Sequence, residues 1–325
     1  MASIKDVASL AGVSIATVSR VMNQKGPLSE QTKNAVNQAI AELNYQPNDL
    51  ARALSKKKPS KIIGLLSLPL QHPLYSELIT KIEEELFQKG YKLLLITSFK
   101  DIVKEENCVN LIQSHMIDGL IIGGHPVNED IFSHSPIPIV TVEAILPGIT
   151  HVISDNYQGG LMATRYLIAR GCKNLIHISG DSRFGHEADK RAIAFKDMCK
   201  RESVAYTIYE TTSDMLQKLD YSQVASRMLF EHPEADGVFA SSDVIAAEVI
   251  RTACSMGIGV PRQLKVVGFD NVKLSRLLNP PLTTMSQDIK GLAAETVDKL
   301  LRMIAGETVE AETMLPVTLV ERQST

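Results

Sequence analysis

The sequence predicts an α/β protein: a small helical head followed by two lobes, each built on a doubly wound parallel sheet. Three observations predict this fold. Apolar residues recur at helical spacing over the first 60 residues, apolar strands alternate with helices from Lys61 onward, and about ten such strands are too many for one small sheet. The length of 325 residues also suits two or three domains.

The head is predicted to contain three helices. The first runs from Ile4 to Ala11, and Gly12-Val13-Ser14 forms a tight connection to the second. Ser14 is the expected N-cap of the second helix, which turns Val18, Val21 and Met22 inward, and Ser29 is the expected cap of the third. A polar, lysine-rich linker follows at Lys56–Ser60.

The rest of the chain alternates strands and helices. Helices are predicted at Leu74–Lys89 and Ala163–Arg170. The predicted strands are Ile62–Leu68, Tyr91–Thr97, Gly119–Ile122, Ile137–Val142, Asn174–Ser179, Tyr206–Tyr209, Gly237–Ala240 and Lys265–Gly268. Because open parallel sheets bind ligands beyond the carboxyl ends of their strands, a ligand site is expected in the loops that follow them.

The charge is distributed unevenly. Residues 1–61 hold nine Lys and Arg against four Asp and Glu, a net charge of +5, whereas the other 264 residues hold 25 against 33, a net charge of −8. A basic head on an acidic body suggests a nucleic-acid-binding arm, although chance clustering with a solvated tail is the alternative.

Several classes of protein are disfavoured. The sequence contains no run of 18 apolar residues, so no membrane-spanning helix is expected. The N-terminus has no signal-peptide pattern, so a cytoplasmic location is expected. The four cysteines and eight histidines are not spaced as metal ligands, and no nucleotide-binding or hydrolase motif occurs. We expect no enzyme activity, cofactor or metal. A cleft enzyme and a periplasmic-type sugar-binding protein remain the other classes to test.

The first 22 residues fit a helix-turn-helix. Such a motif places its second helix in the major groove of DNA, where Arg20 could contact guanine through two hydrogen bonds. Ile15 and Ala16 offer apolar contacts, and the hydroxyl and amide side chains suit phosphates. The predicted DNA contacts are Ser14, Ile15, Ala16, Thr17, Ser19, Arg20 and Asn23. The alternative, a helical hairpin used only for packing, leaves the polar outer face without a role.

An ordered series of motifs along essentially the whole chain resembles the lactose/galactose repressor (LacI/GalR) family. The motifs are Ile4-Lys5-Asp6-Val7-Ala8, Ala11-Gly12-Val13-Ser14, Thr17-Val18-Ser19-Arg20-Val21, Asp155-Asn156 with Gly159-Gly160, Val267-Gly268-Phe269-Asp270-Asn271 and Pro281-Leu282-Thr283-Thr284. The stretch Leu74–Gly90 is most similar to the sucrose-operon repressors of Gram-positive bacteria. The resemblance implies a two-lobed, periplasmic-binding-protein-like effector domain behind the DNA-binding head.

The resemblance also implies site residues. Asn48–Ser55 resembles a hinge helix, in which Asn48 and Ala51 lie close to DNA and Leu54 wedges into the minor groove; without the family, Leu54 would be an ordinary core leucine. In the effector cleft, Arg191 matches the arginine of an Arg-x-x-Gly-aromatic motif in which Ala194 here replaces glycine. Glu143 stands where many relatives carry the shorter Asp. The expected effector contacts are Tyr75, Glu143, Arg183, Arg191, Ser242, Asp243 and Asp270. For Asp243, an N-terminal helix-capping role is the alternative.

The resemblance implies a homodimeric repressor of sugar-use genes that binds a pseudo-palindromic operator and is released by a sugar or sugar phosphate held between the lobes. Two alternatives would have the same domains and sites: a regulator that a corepressor activates, and a regulator that acts with a phosphocarrier protein. The chain lacks the leucine-heptad tail of tetrameric relatives, so a dimer is expected. The expected domains are residues 1–46 (head), 47–60 (hinge and linker), 61–157 with 288–317 (N-terminal lobe) and 158–287 with 318–325 (C-terminal lobe).

Overall fold

The described residues of the first unit of the chain form three short helices, α1 (Ile4–Leu10), α2 (Ile15–Met22) and α3 (Glu30–Glu42). The structure is a computed structural model, and it describes residues 2–22, 26–45, 59–67, 70–98, 101–124, 130–182 and 185–325. It divides into two compact units, Met1–Ser60 and Lys61–Thr325. The core of the first unit is formed by Val7, Ala8, Val18, Val21, Val36 and Ala39.

Serine hydroxyls cap all three helices of this unit. Ser3 forms a reciprocal capping box with Asp6 at the start of α1. The predicted caps are confirmed: Ser14 Oγ accepts from the backbone N–H of Thr17 at 3.1 Å, and Ser29 Oγ accepts from that of Thr32 at 3.2 Å. Gly12 supplies the positive φ of +64° that the turn between α1 and α2 requires.

The first lobe of the second unit is a six-stranded sheet in which every pairing is parallel. Its strands are β1 (Ile62–Ser67), β2 (Lys92–Thr97), β3 (Gly119–Gly123), β4 (Ile139–Val142), β5 (Thr150–Ser154) and β11 (Glu312–Leu315), in the spatial order β11-β5-β4-β3-β1-β2. Helices α4 (Pro73–Gln88) and α13 (Ile289–Ile304) cover one face, while α5 (Ile102–Gln113) and α6 (Asp130–Ser133) cover the other.

The second lobe repeats this architecture with one antiparallel strand at the edge. Its strands are β6 (Asn174–Ser179), β7 (Ala205–Glu210), β8 (Gly237–Ala240), β9 (Lys265–Asp270), β10 (Thr283–Ser286) and β12 (Thr318–Val320), in the spatial order β12-β10-β9-β8-β6-β7. Helices α7 (Asn156–Ala169) and α8 (Lys190–Arg201) pack on one face, and α10 (Ser222–Glu231) and α11 (Asp243–Ser255) on the other. The short helices α9 (Ser213–Lys218) and α12 (Leu274–Leu277) lie in connections.

The fold class predicted from the sequence is confirmed, with two parallel-sheet lobes behind a helical head. The chain passes between the two sheets after Ser154, after Ser286 and after Leu315. These crossing segments lie side by side, so residues near them contact both lobes. None of the helices in the described residues has the length and apolar character needed to cross a membrane.

One helix and four strands differ from the expectation. Helix α7 begins at Asn156 rather than Ala163, because Asp155 caps it by accepting from the N–H of Gln158 at 2.9 Å. Strands β5, β10, β11 and β12 were not predicted. They have five residues or fewer, and β10 reads Thr-Thr-Met-Ser, so their sequences lack the apolar run that marks the other strands.

Candidate functional site: an exposed helix face and a cleft between two lobes

Helix α2 presents the outer face that the sequence predicts. Val18 and Val21 are buried in the head, whereas Ile15, with 44% of its surface accessible, and Arg20 are exposed. Ser14 and Ala16 are also exposed, and Thr17 and Ser19 are half-buried. Ser14 Oγ also lies 2.9 Å from Thr17 Oγ1, so the two hydroxyls are held at the N-terminus of the helix. Asn23, and Asn48, Ala51 and Leu54 of the expected hinge, lie outside the described residues.

The cleft site is centred on Arg191 in the first turn of α8. Only 4% of this side chain is exposed. Its Nε donates to Asn156 Oδ1 at 2.8 Å and its Nη1 to the Ser241 carbonyl at 2.5 Å. The guanidinium also lies over the Phe269 ring, 3.5 Å from the centroid. These contacts fix the arginine firmly, because each holds a different part of the same planar group.

Asp270 lies beside Arg191 at the carboxyl end of β9. Its Oδ1 is 3.8 Å from Arg191 Nη1 and accepts from Gln287 Nε2 at 2.7 Å, while its buried Oδ2 has no hydrogen-bond partner. Burial raises the pKa of Asp270 to about 7, and Arg191 and the Gln287 hydrogen bond oppose that rise. A buried acceptor without a partner is costly unless something else binds it, so Oδ2 marks a position for a ligand donor.

Glu143 brings a second carboxylate from the first lobe. It follows β4, and its Oε1 accepts from the backbone N–H of Ser154 at 2.6 Å. Glu143 and Asp270 both have positive φ, +53° and +115°. Such backbone costs of the order of 1–3 kcal/mol for a residue with a side chain and tends to occur at functional sites. The surrounding structure therefore holds both residues in a backbone conformation that residues with side chains disfavour.

Tyr75 and His72 lie on the first-lobe side of the cleft, at the start of α4. Their rings are 5.1 Å apart. Burial raises the pKa of Tyr75, and neighbouring Asp270 and Glu143 act in the same direction. Burial and, secondarily, Arg191 lower the pKa of His72 to about 4, so its imidazole is neutral at pH 7. Beside Tyr75 and Glu143 lies an apolar recess whose other walls are Leu65, Leu78, Ile79, Ile82, Gly123 and Val142.

Comparison with known proteins explains both halves of this arrangement. Residues 3–48 match the family described as bacterial regulatory proteins of the lacI family, and residues 164–325 match a periplasmic binding protein-like domain. The sucrose operon repressor of Streptococcus mutans is 34% identical over 325 residues, which covers 100% of this chain and 99% of the relative. The chain belongs to the LacI family.

Two further comparisons describe relatives of this LacI-family chain. The ribose operon repressor of Halalkalibacterium halodurans is 36% identical over 328 residues, which covers 100% of this chain and 97% of the relative. A lac repressor dimer solved with operator and the anti-inducer ONPF is 26% identical, with a TM-score of 0.83 over 99% of this chain and 98% of that one. The ribose and sucrose repressors are about equally similar, so identity does not single out the sucrose branch.

Ser242 and Asp243 have structural partners in this LacI-family chain. Ser242 Oγ caps α11 by accepting from the N–H of Ile245 at 3.3 Å. Asp243 accepts from Thr284 Oγ1 at 2.5 Å and from the N–H of Val272 at 2.9 Å, so both carboxylate oxygens are engaged inside the second lobe. Burial raises the pKa of Asp243 well above its usual range. Their role as effector contacts stays a prediction, and Arg183 lies outside the described residues.

Sequence reasoning missed the residues that join the two lobes at the site. Ser154 Oγ donates to Gln287 Oε1 at 2.7 Å, and Gln287 in turn holds Asp270. Asn156 Nδ2 donates to the Ser154 carbonyl at 3.1 Å and to Glu143 Oε2 at 3.4 Å. These residues lie at the crossings between the lobes. The expected lobe boundaries, which fall after residues 157, 287 and 317, were the signal that could have identified them.

Proposed function

We propose that this LacI-family protein is a sugar-responsive transcriptional repressor, released from its operator when a sugar binds in the cleft. The observation that carries the proposal is the buried Arg191 and Asp270 pair, in which Asp270 Oδ2 has no partner. A carboxylate oxygen next to a guanidinium suits a sugar. Of two neighbouring sugar hydroxyl groups, one can donate to the carboxylate and the other can accept from the guanidinium. The sucrose and ribose operon repressors among its relatives support this effector class.

The DNA-binding half of the proposal rests on α2. We infer that two subunits place their α2 helices in adjacent major-groove half-sites of a pseudo-palindromic operator, since the two-fold symmetry of a dimer calls for two-fold symmetry in the DNA. The exposed Arg20 is assigned as the base-reading residue, and Ser14 and Thr17 as contacts that position the helix on phosphates. Asn23 remains assigned from the helix-turn-helix pattern, and Asn48, Ala51 and Leu54 remain assigned by resemblance.

The coupling between effector and operator is assigned to the crossings between lobes. Gln287 and Ser154 connect the acid of the second lobe to the backbone of the first, so a ligand that holds Asp270 also biases the angle between the lobes. We propose that this angle controls whether residues 47–60 fold on the operator. The domain division proposed is residues 1–46, 47–60, 61–157 with 288–317, and 158–287 with 318–325, and the proposed location is the cytoplasm.

A corepressed regulator is the second candidate, because the relatives of this chain are not confined to the sucrose and ribose operon repressors. A repressor named PurR from Erwinia tasmaniensis is 32% identical over 332 residues, covering 100% of this chain and 97% of the relative. The same cleft would then strengthen operator binding when it is occupied, because the sign of the coupling depends on which lobe angle suits the hinge.

Fluorescence anisotropy on a labelled, two-fold-symmetric operator selected from random sequence tests these proposals. A panel that includes sucrose, D-fructose, D-ribose and hypoxanthine is titrated into the complex. Release by one sugar supports the inducible repressor, and tightening by any compound supports the corepressed one. Failure to select an operator contradicts both.

A further inference from the structure

Four buried atoms near Arg191 have no hydrogen-bond partner within the described residues. They are Asp270 Oδ2, Asp189 Oδ2, His72 Nδ1 and His177 Nε2. Asp189 immediately precedes α8, and Arg191 acts on the pKa of all four side chains. Two of the four atoms are carboxyl oxygens, which only accept hydrogen bonds when the acids are ionised. A ligand that satisfies the ionised acids must therefore bring donors.

Within the part of the chain that the structure describes, which does not include Arg183, the charge near these atoms is predominantly negative. Among the described residues, Glu143, Asp189 and Asp270 surround one buried cation, Arg191, whose Nε and Nη1 are already bonded to Asn156 and the Ser241 carbonyl. Lys190 is paired with Glu187 at 2.7 Å, so it is not directed to the site. The neutral imidazole of His72 adds no positive charge at pH 7.

Asp189 is held in this environment by several groups. Burial raises its pKa to about 6, a hydrogen bond from the His186 backbone opposes that rise, and Glu210 and Asp181 add to it. Its Oδ1 lies close to Gly180 at the carboxyl end of β6, where an added Cβ would be 3.8 Å away. Asp189 therefore lies at the carboxyl end of the sheet, where open parallel sheets bind their ligands. It precedes Arg191 in the chain, whereas Asp270 follows it.

We propose that the effector is an unphosphorylated sugar whose hydroxyl groups donate to Asp270 and Asp189, and that the cleft rejects the phosphate ester of the same sugar. This inference rests on the proposed function and names the substrate class of that site. A phosphate dianion would bring acceptors to unpartnered acceptors and two negative charges to a site with three acidic side chains. Asp189 is the residue that adds the discrimination, since Arg191 alone would favour an anion.

Matched pairs of ligands test the inference on the full-length protein bound to labelled operator. The pairs are sucrose with sucrose 6-phosphate, D-fructose with fructose 6-phosphate, and D-ribose with ribose 5-phosphate, at physiological salt so that remote charges are screened. Release by a parent sugar is expected, with its ester at least about 100-fold weaker. An ester that releases operator as well as its parent, or better, overturns the inference and leaves the proposed repressor standing.

Asp189→Asn separates the assigned residue from a general charge effect. This variant keeps the shape and removes the charge, so the parent sugar should bind more weakly and its ester should be less disfavoured. The difference in affinity between the two ligands should therefore shrink about tenfold. The matched control is Asp197→Asn, which makes the same charge change at an exposed position of α8 where the acid accepts from Tyr157. Equal shrinkage in the two variants overturns the role of Asp189.

Two further outcomes are distinguishable. Thermal melting shows whether Asp189→Asn folds, and if it does not, the comparison of ligand pairs on the unaltered protein still decides the phosphate question. If no member of either series affects the operator complex while operator binding persists, the proposed sugar effector fails, and this inference fails with it.

Discussion

Gln287 and Asp270 are joined by a 2.7 Å hydrogen bond from the amide Nε2 to the carboxylate Oδ1. The same amide accepts from Ser154 Oγ at 2.7 Å through its oxygen, so one side chain connects this buried acid to a strand of the other lobe. Gln287 is 5% exposed and lies where the chain crosses between the sheets. The position of Asp270 and the arrangement of the lobes are therefore linked through one amide.

Gln287→Ala should weaken the response to effector about tenfold or more, because it removes a charge-assisted hydrogen bond and leaves a buried carboxylate oxygen with less support. Operator affinity without effector should change much less. Titration of effector into the operator complex measures both quantities. Gln158→Ala, an exposed glutamine on α7, is the matched control. An unchanged response in Gln287→Ala would show that the amide does not position Asp270.

Gly160→Ala should destabilise the effector domain by about 1–3 kcal/mol, the range typical of overpacking. A Cβ at this position would lie 2.7 Å from Ala194 Cβ and 2.7 Å from the backbone oxygen of Arg191, so α7 and α8 would have to separate. Urea unfolding followed by circular dichroism measures the change. Met162→Ala, at a partly exposed site on the same helix, should cost far less. Equal stability of the two variants would mean that the close helix contact does not hold Arg191.

Arg20→Ala should remove most of the preference for operator over random DNA, because a bidentate arginine contact to guanine contributes about 1–3 kcal/mol of discrimination per site. Binding of effector, measured by calorimetry, should be unaffected. Lys33→Ala removes a positive charge from α3 that is already paired with Glu30 at 2.6 Å, and it should leave the preference intact. A preserved preference in Arg20→Ala would assign base reading to another residue.

We expect the second lobe to lose stability at low pH because of the buried His177. Its Nδ1 donates to the Phe239 carbonyl at 2.8 Å, its ring stacks on Phe195, and burial lowers its pKa to about 3. Because the unfolded chain takes up this proton near the usual pKa and the folded one does not, stability falls as the pH drops below 6.5. The loss from this group should reach about 3 kcal/mol at about pH 4.5.

The variant His177→Asn isolates that contribution. It should be less stable at pH 7, because it leaves a cavity, but its stability should fall less between about pH 7 and pH 4.5 than that of the unaltered protein. Urea unfolding at several pH values gives the two slopes. Parallel slopes would contradict the assignment of the acid sensitivity to His177.

Much of this molecule is predictable from its sequence, and the parts that are not have a physical reason. The head helices and their caps at Ser14 and Ser29 follow local rules that depend on neighbouring residues. The central strands are apolar on both faces, so they are visible as continuous runs. Strands β11 and β12 are short and partly exposed, and only their position in the finished sheet defines them.

The site residues also divide into those that the sequence identifies and those that it does not. Arg191 and Asp270 are identifiable because they stand in motifs that the family resemblance carries. Gln287 and His72 are not, because their importance comes from residues distant in the chain: Gln287 bonds to Ser154, 133 residues away. Asp243 shows the opposite case, since a motif position suggests a ligand contact while Thr284 and Val272 occupy its oxygens.

The most direct test of the account compares the unaltered protein with Asp270→Ala on the same labelled operator, with the releasing sugar titrated into each complex. We expect both proteins to bind operator with the same affinity in the absence of sugar and only the unaltered protein to be released at moderate sugar concentration. Release of Asp270→Ala at the same sugar concentration as the unaltered protein would contradict it.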